Sequence, residues 1–397
     1  MILDQACHKS VHHAVVLFGV EPVYLPASMN TRFGFYGPVP QKEVIAAIDA
    51  NPDAQLLVLT SCTYDGFRYD LAPIIRHAHA AGIKVLVDEA WYAHGRFHPE
   101  LHPCALDCGA DYVTQSTHKM LSAFSQASMI HVTDPDFDLH RFRENLNMHT
   151  STSPQYAMIA SLDVARKQMS LEGFARLQGC FRIATQLREG IDRTGVFRVL
   201  TLDDMLPHAL RDDAIRLDPL KLSVDVSASG YSARQLQLLL YEDYGIQIEK
   251  VTHNTLSILV TLGSTESKVL RLLNALQALA RAAPGQAGAS SPRCAGAGLP
   301  ALTDFACLPR EAYFAPAVLV PLQEGERGVN PALVGAVSAD QVVPYPPGIP
   351  VLVPGQRISE EIAIFLCELV RANAGIEIHG LVTQGDAPCL RVVPGLS

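Results

Sequence analysis

Two side chains 31 residues apart have the types and setting for covalent chemistry. Asp88 closes the apolar run Val85-Leu86-Val87, whose composition reads as a strand. Its carboxylate is therefore expected at the C-terminal end of that strand, where open α/β sheets hold their ligands. Lys119 follows just after a second short strand-like segment, Tyr112-Val113-Thr114. An amine and an acid so placed suit pyridoxal phosphate. That cofactor needs a lysine for its Schiff base and a carboxylate against its pyridinium nitrogen, which keeps the ring protonated and able to accept electrons. Ser116, Thr117 and His118 beside the lysine have the donors for charge-assisted hydrogen bonds to a dianionic phosphate. A strand-end aspartate followed by a lysine is also common as a capping residue and a solvated loop residue, so the pair alone does not decide.

Composition sets the frame in which these residues must be held. A chain of 397 residues that is 48% hydrophobic is long and apolar enough for two or three domains with sizeable cores. The formal net charge of -9 argues against nucleic acid, which calls for a basic face, and is compatible with attracting a cationic substrate. Nine cysteines are scattered with no CxxC pair, and MILDQACHKS has no basic segment followed by an apolar run, so a reduced cytoplasmic setting is expected. No uncharged apolar run approaches the ~18 residues of a membrane span, so no membrane role is expected.

The elements follow from hydrophobic patterning. Met1 to Asp4 reads as the tail of a strand, CHKSVHHAVVLFGV as the helix after it, and Pro22 to Leu25 as a strand. Gln41 to Ala50 places Val44, Ile45 and Ile48 on one helical face, and Gln55 to Thr60 is a continuous apolar run typical of a strand buried on both sides. Helix Leu71 to Ala81 leads through Gly82 into the strand ending at Asp88, a right-handed crossover unit. Ala127 to Val132 reads as a further strand and Gln155 to Leu187 as a helix. In that helix Ile159, Leu162, Val164 and Ala165 are expected in the core, with Pro154 at its start and Ser153 as its cap. Leu220 to Val226, helix Ala233 to Tyr244, Ile246 to Val251, Leu256 to Val260 and helix Thr265 to Ala282 alternate as a smaller α/β domain would. Ala283 to Gly298 has linker composition. Beyond it the proline-rich VVPYPPGIPVLVPG excludes helix, and helix Glu360 to Ala374 packs through Ile362, Phe365 and Leu369.

TYDG at Thr63 to Gly66, DEAWYAH at Asp88 to His94, QSTHK at Gln115 to Lys119 and TSP at Thr152 to Pro154 resemble the bacterial ornithine/lysine/arginine decarboxylases. The resemblance runs from CHKS at Cys7 to Ser10 through VVPYPPGIPVLVPGQ ending at Gln356, nearly the whole chain. It implies an α/β pyridoxal-phosphate enzyme of the aspartate-aminotransferase fold (fold type I). The expected divisions are a large cofactor domain at 1–170, a small α/β domain at 171–284, a linker at 285–299 and a C-terminal domain at 300–397. It implies decarboxylation of lysine, arginine or ornithine, with transamination and retro-aldol cleavage as other reactions of the same fold and an inactive partner subunit as the non-catalytic alternative.

By the same resemblance Lys119 carries the Schiff base, Asp88 partners the ring nitrogen and small Ala90 lets the ring lie against it. His8 stacks on the other ring face and Ser116 and His118 hold the phosphate. Ser151 stands where the family supplies a hydroxyl, often a threonine's, from the neighbouring subunit, so a homodimer is expected to complete each site. The family's glycine-rich phosphate turn lies upstream of CHKS. Only six residues precede Cys7 here, so the chain is expected either to start late or to have lost part of that cup.

Trp91, the single tryptophan, and His94 flank the aspartate and are candidates for the substrate side or for core packing. His98, His102, Cys104 and Cys108 suit zinc by type, yet their spacing fits no common ligand framework, and no metal is expected. Cys7 beside His8 suggests a thiol nucleophile, a role the Asp/Lys pair leaves superfluous.

Overall fold

The computed structural model describes residues 1–252, 254–283, 299–324, 328–345, 348–372 and 377–396. Strands Ile2–Asp4 (β1), Val23–Leu25 (β2), Leu56–Thr60 (β3), Lys84–Asp88 (β4), Tyr112–Gln115 (β5) and Met129–Val132 (β6) form one sheet in the order β2-β1-β3-β4-β5-β6. Every pairing is parallel except β5 with β6. Helices Lys9–Phe18 (α1), Gln41–Ala50 (α2) and Leu71–Ala80 (α3) connect these strands, close to the ranges expected from periodicity.

Alternation along each strand decides which helix its side chains meet. Leu57, Leu59, Val85, Val87 and Val113 pack with Val44, Ile48, Ile74 and Ile75 of α2 and α3. Leu3, Val58 and Leu86 pack on the opposite face with Val15 of α1. Asp88 has the parity of Leu86, so it lies on the face covered by α1.

Beyond the sheet, a single turn Thr117–Met120 (α4) carries Lys119, and Leu139–His149 (α5) precedes the long helix Tyr156–Asp192 (α6), which runs through the boundary expected at residue 170. Ala165, Met169, Leu177, Phe181, Ala184, Leu187 and Ile191 form the buried stripe of α6. Two expectations fail here. Ile159 and Val164 are 54% and 61% exposed, because they fall outside the buried stripe, which in these turns runs through Ser161 and Ala165. The cap is Gln155 without a side-chain bond, because the helix begins at Tyr156, two residues later than a Ser153 cap requires.

A second, antiparallel sheet contains Arg198–Val199 (β7), Lys221–Asp225 (β8), Lys250–Val251 (β9) and Thr255–Leu259 (β10) in the order β7-β8-β10-β9. Helices Ala233–Glu242 (α7) and Glu266–Arg281 (α8) belong to this part, with Leu236, Leu240, Leu272 and Leu276 buried in one cluster with α6. The expected linker lies almost wholly outside the described residues. In the C-terminal part, Val318–Pro321 (β11), Ala387–Val393 (β16) and Val337–Ser338 (β12) form a sheet, while Val343–Tyr345 (β13) pairs with Glu377–His379 (β14) and Val382–Gln384 (β15) pairs with β16. Helix Glu360–Ala372 (α9) buries Ile362 and Leu366 against Leu322 and Leu390, with Phe365 partly buried beside them. This part reaches the first sheet: Gln5 Nε2 donates to the Pro350 carbonyl at 3.1 Å, and Tyr24 stacks on Phe305 with centroids 6.1 Å apart. Among the described residues no helix is long and apolar enough to cross a membrane.

Glu89, the residue after β4, is 1% exposed and ties the strand ends to the following loop. It accepts from the Ala105 amide at 2.7 Å and from Gln115 Nε2 at 2.8 Å. Burial outweighs these bonds and pushes its carboxyl up to about 7. An acid bound more tightly to its proton when folded contributes stability that is complete below its ordinary value of 4.5 and is lost as pH rises through about 7. Glu89→Gln cannot titrate. The stability difference between wild type and this variant is therefore expected to move against wild type from pH 4.5 to about 7 in thermal melts, and a constant difference contradicts the assignment.

Candidate active site

The ends of β3, β4 and β5 build the floor of the site. Asp88 is the last residue of β4 and pairs in register with Thr60 of β3 and Thr114 of β5. Its Oδ1 accepts from the Ala90 amide at 2.9 Å and from Thr114 Oγ1 at 3.4 Å. Oδ2 has no hydrogen-bond partner among the described residues and is left to meet a donor above the strand ends. The chain then leaves β5 and turns once into α4, with the Lys119 amide bonded to the Ser116 carbonyl at 3.0 Å. Asp88 and Lys119 thus rise from adjacent parallel strands.

Lys119 is half-buried, and among the described residues its amine has no hydrogen-bond acceptor. It faces the Trp91 ring, with Nζ 4.4 Å from the centroid. Burial lowers its pKa from the usual lysine value; Asp88 opposes that shift, Lys221 adds to it and Glu249 opposes it. Trp91 meets Tyr64 edge-on at 4.9 Å between centroids, and the Tyr64 hydroxyl donates to Glu249 Oε1 at 2.7 Å. Tyr64, Trp91, Lys221, Ser223, Glu249 and Ser257 line a cleft between the strand ends and the second sheet. Tyr64 lies within the TYDG motif but had no role assigned. Lys221 and Glu249 carry no local signal, since it is the packing of the second sheet against the first that brings them here.

The other expected site residues divide. His8 caps α1, its Nδ1 accepting from the Ser10 amide at 3.3 Å, and its imidazole feels the charges of Asp88 and Lys119 while desolvation holds its pKa below the usual value. Ala90 lies beside Asp88, as its backbone bond requires. Ser116 precedes α4, and its hydroxyl has no partner among the described residues. His118 turns Nδ1 to the Ala127 carbonyl at 2.9 Å, leaving Nε2 as the nitrogen available to a ligand. Ser151 is exposed between α5 and α6, and among the described residues its side chain bonds the Ser153 amide and no site residue.

Trp91 lines the cleft, whereas His94 does not. His94 is fully buried, with Nε2 3.1 Å from Asp218 Oδ2. Of the four residues with zinc-like side chains, His98 bonds Gln178, His102 and Cys104 share Asp107, and Cys108 is a half-buried free thiol. Cys7 is buried 3.4 Å from His12 Nε2, and burial raises its thiol well above the usual range, the reverse of what a nucleophile needs.

A mostly parallel sheet with an acid and an unpaired amine on adjacent strand ends, followed by a small antiparallel unit, is the fold type I architecture of pyridoxal-phosphate enzymes. The donor set fits that cofactor: among the described residues Asp88 Oδ2, the Lys119 amine and the Ser116 hydroxyl have no protein hydrogen-bond partner, and neither has the buried Thr60 Oγ1 at the end of β3. The Orn/Lys/Arg decarboxylase major-domain model matches residues 1–268, and the C-terminal-domain model of the same family matches residues 319–388. The chain is 31% identical to an arginine decarboxylase of Bacillus anthracis across 96% of this chain and 74% of that protein. It is 32% identical to the lysine decarboxylase LdcA of Pseudomonas aeruginosa across 98% of this chain and 64% of that one. The crystal structure of the Francisella novicida lysine decarboxylase LdcF superposes with a TM-score of 0.85 at 25% identity, covering 99% of this chain and 66% of that chain. The chain belongs to the Orn/Lys/Arg decarboxylase family of carboxy-lyases, and it spans roughly two thirds to three quarters of the length of these relatives.

A hydrogen bond to a charged group contributes about 1.5–3 kcal/mol net. Asp88→Asn is expected to weaken pyridoxal phosphate binding by at least ~tenfold, measured by absorbance titration. An unchanged affinity contradicts the place given to the Asp88 carboxylate.

Proposed function

We propose that this chain decarboxylates a basic amino acid, lysine, arginine or ornithine, to the corresponding amine with pyridoxal phosphate as cofactor. What supports the reading is that the Lys119 amine, without a hydrogen-bond acceptor among the described residues, faces Trp91 and feels the charge of Asp88 at the adjacent strand end, in a chain of this family. When bound, pyridoxal phosphate supplies an aldehyde for covalent attachment and a ring that accepts the electron pair left by departing carbon dioxide.

The chain's own residues do the rest. Asp88 would hold the proton on the ring nitrogen. Lys119 would hold the cofactor through its amine and, when that amine is free, would carry a proton on Nζ to the substrate carbon. Its lowered basicity suits that exchange. His8 and Ala90 would flank the ring and the Ser116 hydroxyl would donate to the phosphate; His118, whose Nδ1–H is given to the Ala127 carbonyl, would add a donor at Nε2 only as the imidazolium. Ser151 reaches a site only across a homodimer interface, which is the assembly this reading requires.

The distal cation of the substrate needs an acid. Asp65 is held by Lys250 at 2.7 Å, so its charge is already matched. Glu249 lines the same cleft beside Trp91, and its carboxylate accepts from the neutral Tyr64 hydroxyl. Glu249 is the residue to which this reading gives the ammonium or guanidinium.

Incubation with each of the three amino acids is expected to yield carbon dioxide and the matching amine, cadaverine, agmatine or putrescine, for at least one of them. Glu249→Gln is expected to raise KM by ~tenfold or more, the worth of one charge-assisted bond, with a smaller effect on kcat. A keto acid as product points to transamination and overturns the reading.

A further inference from the structure

Lys221 opens β8 and is only 7% exposed, yet among the described residues no carboxylate lies within ion-pair distance of its ammonium. Its donors are spent on neutral groups: Nζ is 2.9 Å from the Thr63 carbonyl and 3.5 Å from Cys62 Sγ. It also faces the Trp91 ring, 5.2 Å from the centroid that Lys119 approaches to 4.4 Å. Buried Asp218 feels the Lys221 charge from beyond ion-pair distance and is itself bonded to His94, so the cation has no direct counterion, and a neutral side chain of similar length would fill the space and still bond Thr63. The charge therefore calls for a function.

We propose that Lys221 is a positioning residue for Lys119: its ammonium, clamped on the shared indole, repels a second positive charge there and favours the free amine that attacks a carbonyl. This rests on Lys119 being the cofactor lysine. The two nitrogens can be no further apart than the sum of their distances to the ring centroid. The other charged and titratable groups facing Lys119 are Asp88 from β4 and Glu249 beside β9, which favour its ammonium form, and His8 at the start of α1. Lys221 is the fixed cation that counters the two acids, and it lowers the basicity of Lys119 beyond what burial achieves. A lysine beside another cation is an established route to an amine nucleophile. Capture of an aldehyde forms a C=N bond to Nζ and releases one water, and it needs the Nζ lone pair, so an ammonium must first give its proton to solvent.

The test is the pH dependence of the rate at which cofactor-free protein captures pyridoxal phosphate. It is read from the change in cofactor absorbance between about pH 6 and 10, a range bracketing lowered and ordinary lysine values. Lys221→Gln keeps a donor for Thr63 but loses the charge, Lys221→Met loses both, and Lys221→Arg keeps both. The Gln and Met variants are expected to move the midpoint upward by roughly one pH unit, about tenfold slower capture on the acid side, with Arg restoring the wild-type midpoint. A common midpoint in all four proteins, or an Arg variant shifted as far as Gln, overturns the role of Lys221 alone. Failure of wild type to capture the cofactor at any pH overturns the assignment of Lys119 and this role with it.

Discussion

The parallel ladder between Lys84–Asp88 and Tyr112–Gln115 is the constraint on which the site depends. Its register sets Asp88 opposite Thr114, and the next turn of chain delivers Lys119 above the same edge. Because strand side chains alternate, a slip of one residue would turn Asp88 into the apolar layer of α2 and α3 and bring Val87 to the ligand face. The burial of Val85, Val87 and Val113 on one side makes that slip expensive. The cores of the first sheet thus stabilise the fold and fix which face the carboxylate occupies.

The sequence shows this part of the molecule well. Continuous apolar runs marked β3 and β4 because a strand buried on both faces has nothing polar to interrupt it. The acid and the lysine were recognisable because each sits at a strand end within a distinctive local motif. Residues whose role depends on distant contacts were not. Tyr64 meets Glu249 and Lys221 meets Thr63 over separations of 185 and 158 residues, and neither acid nor lysine stands in a motif. His94 read as a possible cleft residue, but its partner Asp218 is 124 residues away and buries it. Ile159 and Val164 show the limit of periodicity, which tells which residues share a helical face but not what covers that face.

Residues from the first and second sheets meet around Lys119. The end of β4 and the turn after β5 supply Asp88 and Lys119, β8 and the residue before β9 supply Lys221 and Glu249, and the C-terminal part contacts the first sheet through Gln5 and Tyr24. The electrostatic balance at Lys119 is correspondingly divided, two acids and a cation arriving from different elements. Loss of one group changes the lysine without disturbing the ladder beneath it, which allows chemistry and fold to be altered separately.

The most direct measurement is borohydride reduction of the protein mixed with pyridoxal phosphate, followed by peptide mapping to find the lysine that carries the reduced cofactor. Label on Lys119, abolished in Lys119→Ala and weakened in Asp88→Asn, is the expected result. Label on Lys221 or another lysine, or equal labelling after Lys119→Ala, would contradict the assignment of amine and acid to one cofactor ring.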